Sequence, residues 1–153
     1  MVPIVTIDGP SGSGKGTIAK ALALKLNWNY LDSGLLYRCF AFLHNQDIEN
    51  ISEGFSRIEH RYDSTSENIV FDGNDITSAI RGKELTILSS QLSQKSEVRE
   101  QLMQIQKQYR KMPGLVAEGR DMSSKLFPDS KVKIYLTADL SERVNRRANQ
   151  LRN

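Results

Sequence analysis

The chain has one cysteine, Cys39, in 153 residues. It therefore cannot close an intrachain disulfide or supply a multi-cysteine metal site, and a reducing, intracellular compartment is the expectation. Long apolar runs are missing as well. None approaches the roughly 20 residues needed to span a bilayer, and Met1 to Gly9 reads as a strand entering a glycine rather than as a signal peptide. The expected location is the cytoplasm, with no membrane partner. There are no internal repeats and no low-complexity tracts, which excludes collagen-like and disordered classes. Charge of one sign is not in large excess: 21 Lys plus Arg stand against 18 Asp plus Glu, a net +3. That suits a phosphorylated small ligand and is too mild to argue for nucleic acid. What remains is an ordinary globular composition, 39% hydrophobic and 25% charged, at a length of about one domain by the ~150-residue prior.

The pattern along the chain predicts an α/β fold. Ile4-Val5-Thr6-Ile7 is a short β-branched strand that runs into a glycine-rich loop. From Lys15 to Leu26, Ile18, Leu22 and Leu26 recur every four residues with alanines between them, the pattern of an amphipathic helix. Asn29-Tyr30-Leu31 reads as a second strand, followed by a helix of about three turns through Tyr37, Phe40 and Leu43. Residues 57 to 76 read as a small antiparallel sheet, because Ile58, His60 and Tyr62 alternate and Asp72-Gly73 separates two apolar runs. A helical region is expected from about Arg81 to Gln94, then a helix capped by Ser96 with a Val98, Leu102, Ile105 and Tyr109 stripe. Leu115-Val116-Ala117 and Val132 to Leu136 are expected as further core strands, separated by the polar loop Glu118-Gly119-Arg120-Asp121. A final helix is expected to open with an Asp139/Glu142 capping box and to bury Leu140, Val144, Ala148 and Leu151. Alternating strands and helices imply a parallel sheet with helices on both faces and the antiparallel insert beside it.

Gly9-Pro10-Ser11-Gly12-Ser13-Gly14-Lys15-Gly16-Thr17 carries the chemistry. A glycine-rich turn lets consecutive backbone N–H groups surround phosphate oxygens while a helix N-terminus points its positive end at them, and Lys15 adds a mobile charge. The pattern G-x-x-x-x-G-K-[ST] is met from Gly9 to Lys15, but Gly16 stands where the hydroxyl is expected and Thr17 follows one place later. The Gly-Lys-Gly-Thr ending resembles that of nucleoside monophosphate kinases.

A kinase for a phosphorylated acceptor holds two polyanions in line, so it needs arginines outside the phosphate loop. Asp32-Ser33-Gly34 ends a strand and leads to Tyr37-Arg38, where a hydroxyl, a phenol and a guanidinium can face the carboxyl edge of an open sheet. Arg120 and Asp121 follow the third core strand. A carboxylate accepts from an exocyclic amino group and an arginine donates to ring acceptors, so this pair is a chemical reader for cytosine; a structural ion pair is the competing reading.

Taken together, Ile-Asp-Gly-Pro-Ser-Gly-Ser-Gly-Lys-Gly-Thr, Leu-Asp-Ser-Gly-x-Leu-Tyr-Arg, and Ala-Glu-Gly-Arg-Asp-Met with a downstream Phe-Pro-Asp resemble bacterial cytidylate (CMP) kinases, from Ile4 to the last residue. The resemblance implies a P-loop kinase domain over 1–153, with 57–95 as the nucleoside-monophosphate-binding insert and 139–153 as the start of a lid. It implies phosphoryl transfer from ATP, with Mg2+, to CMP or dCMP, giving CDP or dCDP, the direct magnesium ligands being unassigned. Lys15, Arg38 and Arg120 are the implied catalytic residues. Gly12, Ser13, Gly14, Lys15, Gly16 and Thr17 would cradle the ATP phosphates. Ser33, Tyr37, Arg38 and Arg120 would hold the CMP phosphate with help from Arg81, and Ser90, Arg99 and Asp121 would read cytosine. Arg143 and Arg147 are lid candidates. The family continues past residue 153 through more lid, a strand and a closing helix, so the expectation for these 153 residues alone is weak CMP binding, slow turnover and a monomer unless another chain supplies the strand. Two alternatives remain beside this reading: a catalytically impaired nucleotide-binding fragment or paralogue, and another small-molecule P-loop kinase.

Overall fold

In the computed structural model, which describes residues 1–152, the chain runs β1 (Ile4–Asp8), α1 (Lys15–Leu26), β2 (Asn29–Asp32), α2 (Ser33–Asn45), α3 (Ile51–Ser56), β3 (Ile58–Tyr62), β4 (Glu67–Phe71), β5 (Asn74–Asp75), α4 (Thr77–Arg81), α5 (Lys83–Leu92), α6 (Ser96–Lys107), β6 (Leu115–Gly119), a π-helical turn (Met122–Leu126), β7 (Val132–Tyr135) and α7 (Leu140–Arg152). Residue 153, the last of the expected lid segment, lies outside the described residues. The chain divides into two compact units, residues 1–33 with 103–152, and Gly34–Leu102. Among the described residues no helix is long and apolar enough to cross a membrane.

The first unit is a parallel sheet in the order β2-β6-β1-β7. β1 and β6 are buried at every residue, as inner strands of a sheet flanked by helices must be. The register pairs Asp8 with Gly119 and Tyr135, and Asp32 with Glu118, so Asp8 and Asp32 end their strands and Glu118 stands one residue before the end of β6, all at the carboxyl end of the sheet. α1 packs on β6 through Ala19 and Ala23, both fully buried, whereas Ile18 and Leu26 of the expected apolar face are exposed. Alanine on the contact side lets the helix approach the sheet closely, which the four-residue spacing of larger side chains does not reveal.

Three further expectations for this unit are corrected. Glu118 and Gly119 belong to β6 rather than to a polar loop, because both pair in register with β1. β7 is not a core strand: it lies at the sheet edge, pairs with β1, and Val132, Ile134 and Tyr135 are all exposed. α7 does not bury Leu140, Val144 and Leu151, which are exposed; Arg143, Arg147 and Ala148 are its less exposed positions. The reason is that α7 meets the rest of the unit through its arginine side, against the glycine loop. Glu142, expected in a capping box, pairs with Arg146.

The second unit contains the expected antiparallel sheet, order β3-β4-β5. Asp72 and Gly73 both adopt positive φ, 49° and 81°, the two-residue turn whose twist suits a hairpin. Phe71 on β4 stacks edge-on with Phe42 at 5.3 Å and carries the Arg57 guanidinium 4.7 Å above its ring. The helical region expected from about Arg81 to Gln94 is α5, and the short helix α4 precedes it; Gly82 in an extended conformation ends α4 and opens α5. Ser96 is the first residue of α6 rather than its cap; the Lys95 carbonyl takes the first bond, from the Arg99 N–H at 3.1 Å. The sequence reading did not anticipate α3, whose N-cap Asn50 accepts from the Glu53 N–H.

Candidate active site

The glycine loop is built by close approaches that only glycine permits. Gly9 donates its N–H to the Gly119 carbonyl at 3.2 Å, and a Cβ on Gly9 would stand 2.1 Å from the Leu136 carbonyl oxygen. Gly12 and Gly14 are left-handed, with φ of 78° and 88°. The Ser13 N–H returns to the Pro10 carbonyl at 3.3 Å, and Lys15 folds back so that Nζ reaches the same carbonyl at 3.3 Å. α1 then begins at Lys15 with no acidic residue in its first turn and no side-chain cap. Its N–H groups and positive end are therefore left to an anion.

Below this loop lies a charge cluster that sequence reading resolved only in part. Glu118 is 4% exposed and accepts from the Tyr30 hydroxyl at 3.4 Å, and that hydroxyl also stands 3.5 Å from the Gly16 carbonyl. Burial lowers the Lys15 ammonium pKa from its ordinary value; Glu118 and Asp32 oppose that shift, while Arg120 and Arg147 add to it. Four candidate or newly found groups thus act on Lys15. Glu118 could have been suspected from an acid placed directly after the apolar run Leu115-Val116-Ala117 and before a glycine, a position that ends a buried parallel strand.

Arg120 and Asp121 are exposed. Asp121 adopts φ 60°, and its carboxylate lies 3.7 Å from Lys125 Nζ and 3.5 Å from Ser124 Oγ. Ser33 is buried, and its Cβ would lie only 2.7 Å from a side chain at Gly119.

In the second unit, Tyr37 and Arg38 occupy successive, half-buried positions of α2. Burial raises the Tyr37 phenol pKa, and Arg99 opposes the shift. The Arg38 Nε is buried with no hydrogen-bond partner, a donor held away from water and left for an acceptor. The Arg99 guanidinium donates to the Ser93 and Gln94 carbonyls at 3.1 and 2.9 Å, across the end of α5. Ser90 is exposed on α5, and Arg81, at the end of α4, stands 3.9 Å from Glu67.

α7 brings its arginines to the glycine loop. A Cβ on Gly12 would be 2.4 Å from the Arg143 carbonyl oxygen, and the Arg143 Nε is buried without a partner. Arg147 donates to Gln150 at 3.1 Å. Arg146, which the sequence reading passed over, points Nη1 toward the Gly12 carbonyl at 3.5 Å. The signal for it was present: Arg143, Arg146 and Arg147 have the i, i+3, i+4 spacing of one helix face.

The cytidylate kinase family model matches residues 5–153. The cytidylate kinase of Stutzerimonas stutzeri (strain A1501) is similar at 47% identity over 161 residues, which is 99% of this chain and 70% of that protein. The cytidylate kinase of Escherichia coli (strain K12 / DH10B) is similar at 42% identity over 159 residues, with the same two coverages. A crystal structure of a Thermus thermophilus protein superposes with a TM-score of 0.46 at 20% identity, covering 99% of this chain and 78% of that one.

Proposed function

Since the chain belongs to the cytidylate kinase family, we infer that it transfers the γ-phosphoryl group of ATP to CMP or dCMP, giving CDP or dCDP. The observation that carries this reading is the Gly9–Thr17 loop between β1 and α1, with Lys15 set among Glu118, Asp32, Arg120 and Arg147. In such a site catalysis consists of positioning and of neutralising the charge that moves to the transferred group, so no covalent intermediate is needed.

We assign the ATP phosphates to the backbone N–H groups and side chains of Gly12, Ser13, Gly14, Lys15, Gly16 and Thr17. The CMP phosphate is assigned to Ser33, Tyr37, Arg38, Arg81 and Arg120, and cytosine to Ser90, Arg99 and Asp121. Residues 57–95 are taken as the monophosphate-binding insert and the segment from 139 as the start of a lid. There Arg143 and Arg147, and with them Arg146, are proposed to meet the donor phosphates. Lys15, Arg38 and Arg120 are the proposed catalytic residues.

The donor set fits Mg2+ brought in by the nucleotide. Among the described residues no group of three His, Cys, Asp or Glu side chains could cage a metal, and Mg2+ with ATP takes much of its coordination from phosphates and water. The exposed Thr17 hydroxyl, in the first turn of α1, is the side chain proposed to hold it. When bound, the ion would neutralise negative charge on the β and γ oxygens. A monomeric state and a cytoplasmic location complete the reading, the location supported by the nucleotide substrates and by a lone, buried cysteine.

ADP release measured with CMP, dCMP, UMP and AMP as acceptors tests the assignment. Turnover with CMP and dCMP well above the other two is expected, and turnover with none of the four would refute it. In the same assay Asp121→Ala should erode the preference for CMP over UMP, while Arg38→Ala should weaken every monophosphate about equally. A CMP preference unchanged in Asp121→Ala would remove the base-reading role.

A further inference from the structure

Asp8 is the last residue of β1, is 7% exposed, and belongs to none of the groups assigned above. Both its carboxylate oxygens are taken by one short segment 114 to 115 residues away: Oδ1 accepts from the Met122 N–H at 2.7 Å, and Oδ2 accepts from the Ser123 N–H at 3.0 Å and the Ser123 hydroxyl at 2.7 Å. Hydrogen bonds to a carboxylate are shorter and stronger than those between neutral groups; the one from Met122 is buried and the two from Ser123 are part-buried. The backbone of Asp8 is tied independently, since its carbonyl accepts from the Leu136 N–H at 2.8 Å and the next residue, Gly9, donates to Gly119.

The residue just before those donors is Asp121, whose φ of 60° lies in the left-handed region, which residues other than glycine, Asn and Asp rarely enter. A conformation of that kind persists where its surroundings over-determine it. Here the chain turns from β6, leaves Arg120 and Asp121 exposed, and drives Met122 inward to 3% exposure. The Asp8 carboxylate holds the two peptides immediately beyond that corner. One residue therefore begins the phosphate loop through its peptide and anchors the Arg120–Asp121 corner through its side chain.

We propose that Asp8 is a positioning residue for the phosphoryl transfer, setting Arg120 and Asp121 at a fixed distance from the phosphate loop and so fixing the acceptor nucleotide relative to the donor phosphates. The inference rests on the cytidylate kinase reading and deepens it. Replacing the carboxylate by an amide turns an –NH2 toward one of the N–H or O–H donors and leaves the phosphate loop's own backbone bonds in place. The consequence belongs to the acceptor side of the reaction.

The test uses Asp8→Asn, Ser123→Ala and, as a control, Ser130→Ala, which loses the buried hydroxyl that stands 3.0 Å from the Ile4 carbonyl and 2.9 Å from that of Val132. Thermal melting together with separate kcat and KM values for ATP, CMP and UMP are measured on each. Asp8→Asn is expected to raise the KM for CMP about tenfold, and to lower the preference for CMP over UMP by a similar factor, with the KM for ATP within about twofold of wild type. Ser123→Ala, with one of three donors gone, should move the CMP constants in the same direction by about two- to fivefold. Ser130→Ala should lower the melting temperature and leave CMP constants unchanged. A purely structural role for Asp8 predicts that Asp8→Asn behaves as Ser130→Ala does, and that result overturns the proposal. Should Asp8→Asn not fold, unchanged CMP constants in Ser123→Ala overturn it equally. Failure of the wild-type chain to turn over CMP would remove the kinase reading itself, a different outcome from unaltered variants of an active wild type.

Discussion

Lys15 shows how a single side chain is set by its surroundings. Its ammonium is pulled toward neutrality by burial, an effect that Glu118 and Asp32 oppose, while Nζ donates to the Pro10 carbonyl. Lys15→Ala should lower kcat by about 10²–10³-fold, the usual loss when one stabilising donor is removed from a developing charge. CMP affinity by calorimetry should survive, and near-native turnover would remove Lys15 from the ATP phosphates. A second residue-scale prediction concerns Asp63. Its carboxylate accepts from the Thr65 and Ser66 N–H groups at 2.7 and 2.8 Å and from the Thr65 hydroxyl, which holds its pKa at about 2 against an ordinary 3.8. A depressed folded pKa stabilises the fold above the unfolded value, and that contribution is lost as pH falls from 3.8 through about 2. Carboxyl chemical shifts recorded against pH should give a midpoint near 2 for Asp63, with the Thr65 and Ser66 amides moving over the same window. A midpoint near 4 would mean that the turn bonds are not made.

At the scale of elements, two glycines with similar backbone angles separate conformation from contact. Gly73, in the hairpin turn between β4 and β5, has φ 81°, and a Cβ added there would meet nothing within 4 Å. Gly73→Ala should therefore cost only the left-handed penalty, about 1–2 kcal/mol in urea denaturation, with activity unchanged. Gly12 has φ 78°, but a Cβ there meets the Arg143 carbonyl oxygen at 2.4 Å. Gly12→Ala must displace α7 or the phosphate loop, and the expected loss in kcat/KM for ATP is on the order of 10²-fold, as for an ångström-scale misplacement. Equal activity in the two variants would show that the approach of α7 to the loop has no bearing on catalysis.

For the molecule as a whole, ligand binding and folding are linked. A ligand at about 100 times its Kd stabilises the state that binds it by about 2.7 kcal/mol. For a chain of this size that corresponds to a rise in Tm of roughly 5–10 °C. CMP should produce that shift in a thermal melt, and UMP at the same concentration a smaller one. Equal shifts for the two would contradict cytosine reading by Ser90, Arg99 and Asp121. The mild net charge of +3 gives little long-range field, so selectivity must come from placed groups such as these.

Local chemistry made much of this protein legible from its sequence alone. The β-branched run before Gly9, the Gly-Lys-Gly-Thr loop and the Asp72-Gly73 turn each need only neighbours in sequence to specify a strand end, a glycine turn into a helix and a hairpin, and all three stand where the pattern puts them. Periodicity misled where burial depends on distant partners. Ile18 and Leu26 lie outside because alanines face β6, β7 leaves its side chains exposed although β2 at the opposite edge buries Tyr30 and Leu31, and the apolar side of α7 is exposed because its arginines turn toward Gly12. The same dependence hid Glu118, Arg146 and above all Asp8, whose carboxylate finds its three donors 114 to 115 residues along the chain. Sequence spacing determines which side chains share a strand or a helix face; only strand order and register determine which of those faces meets another.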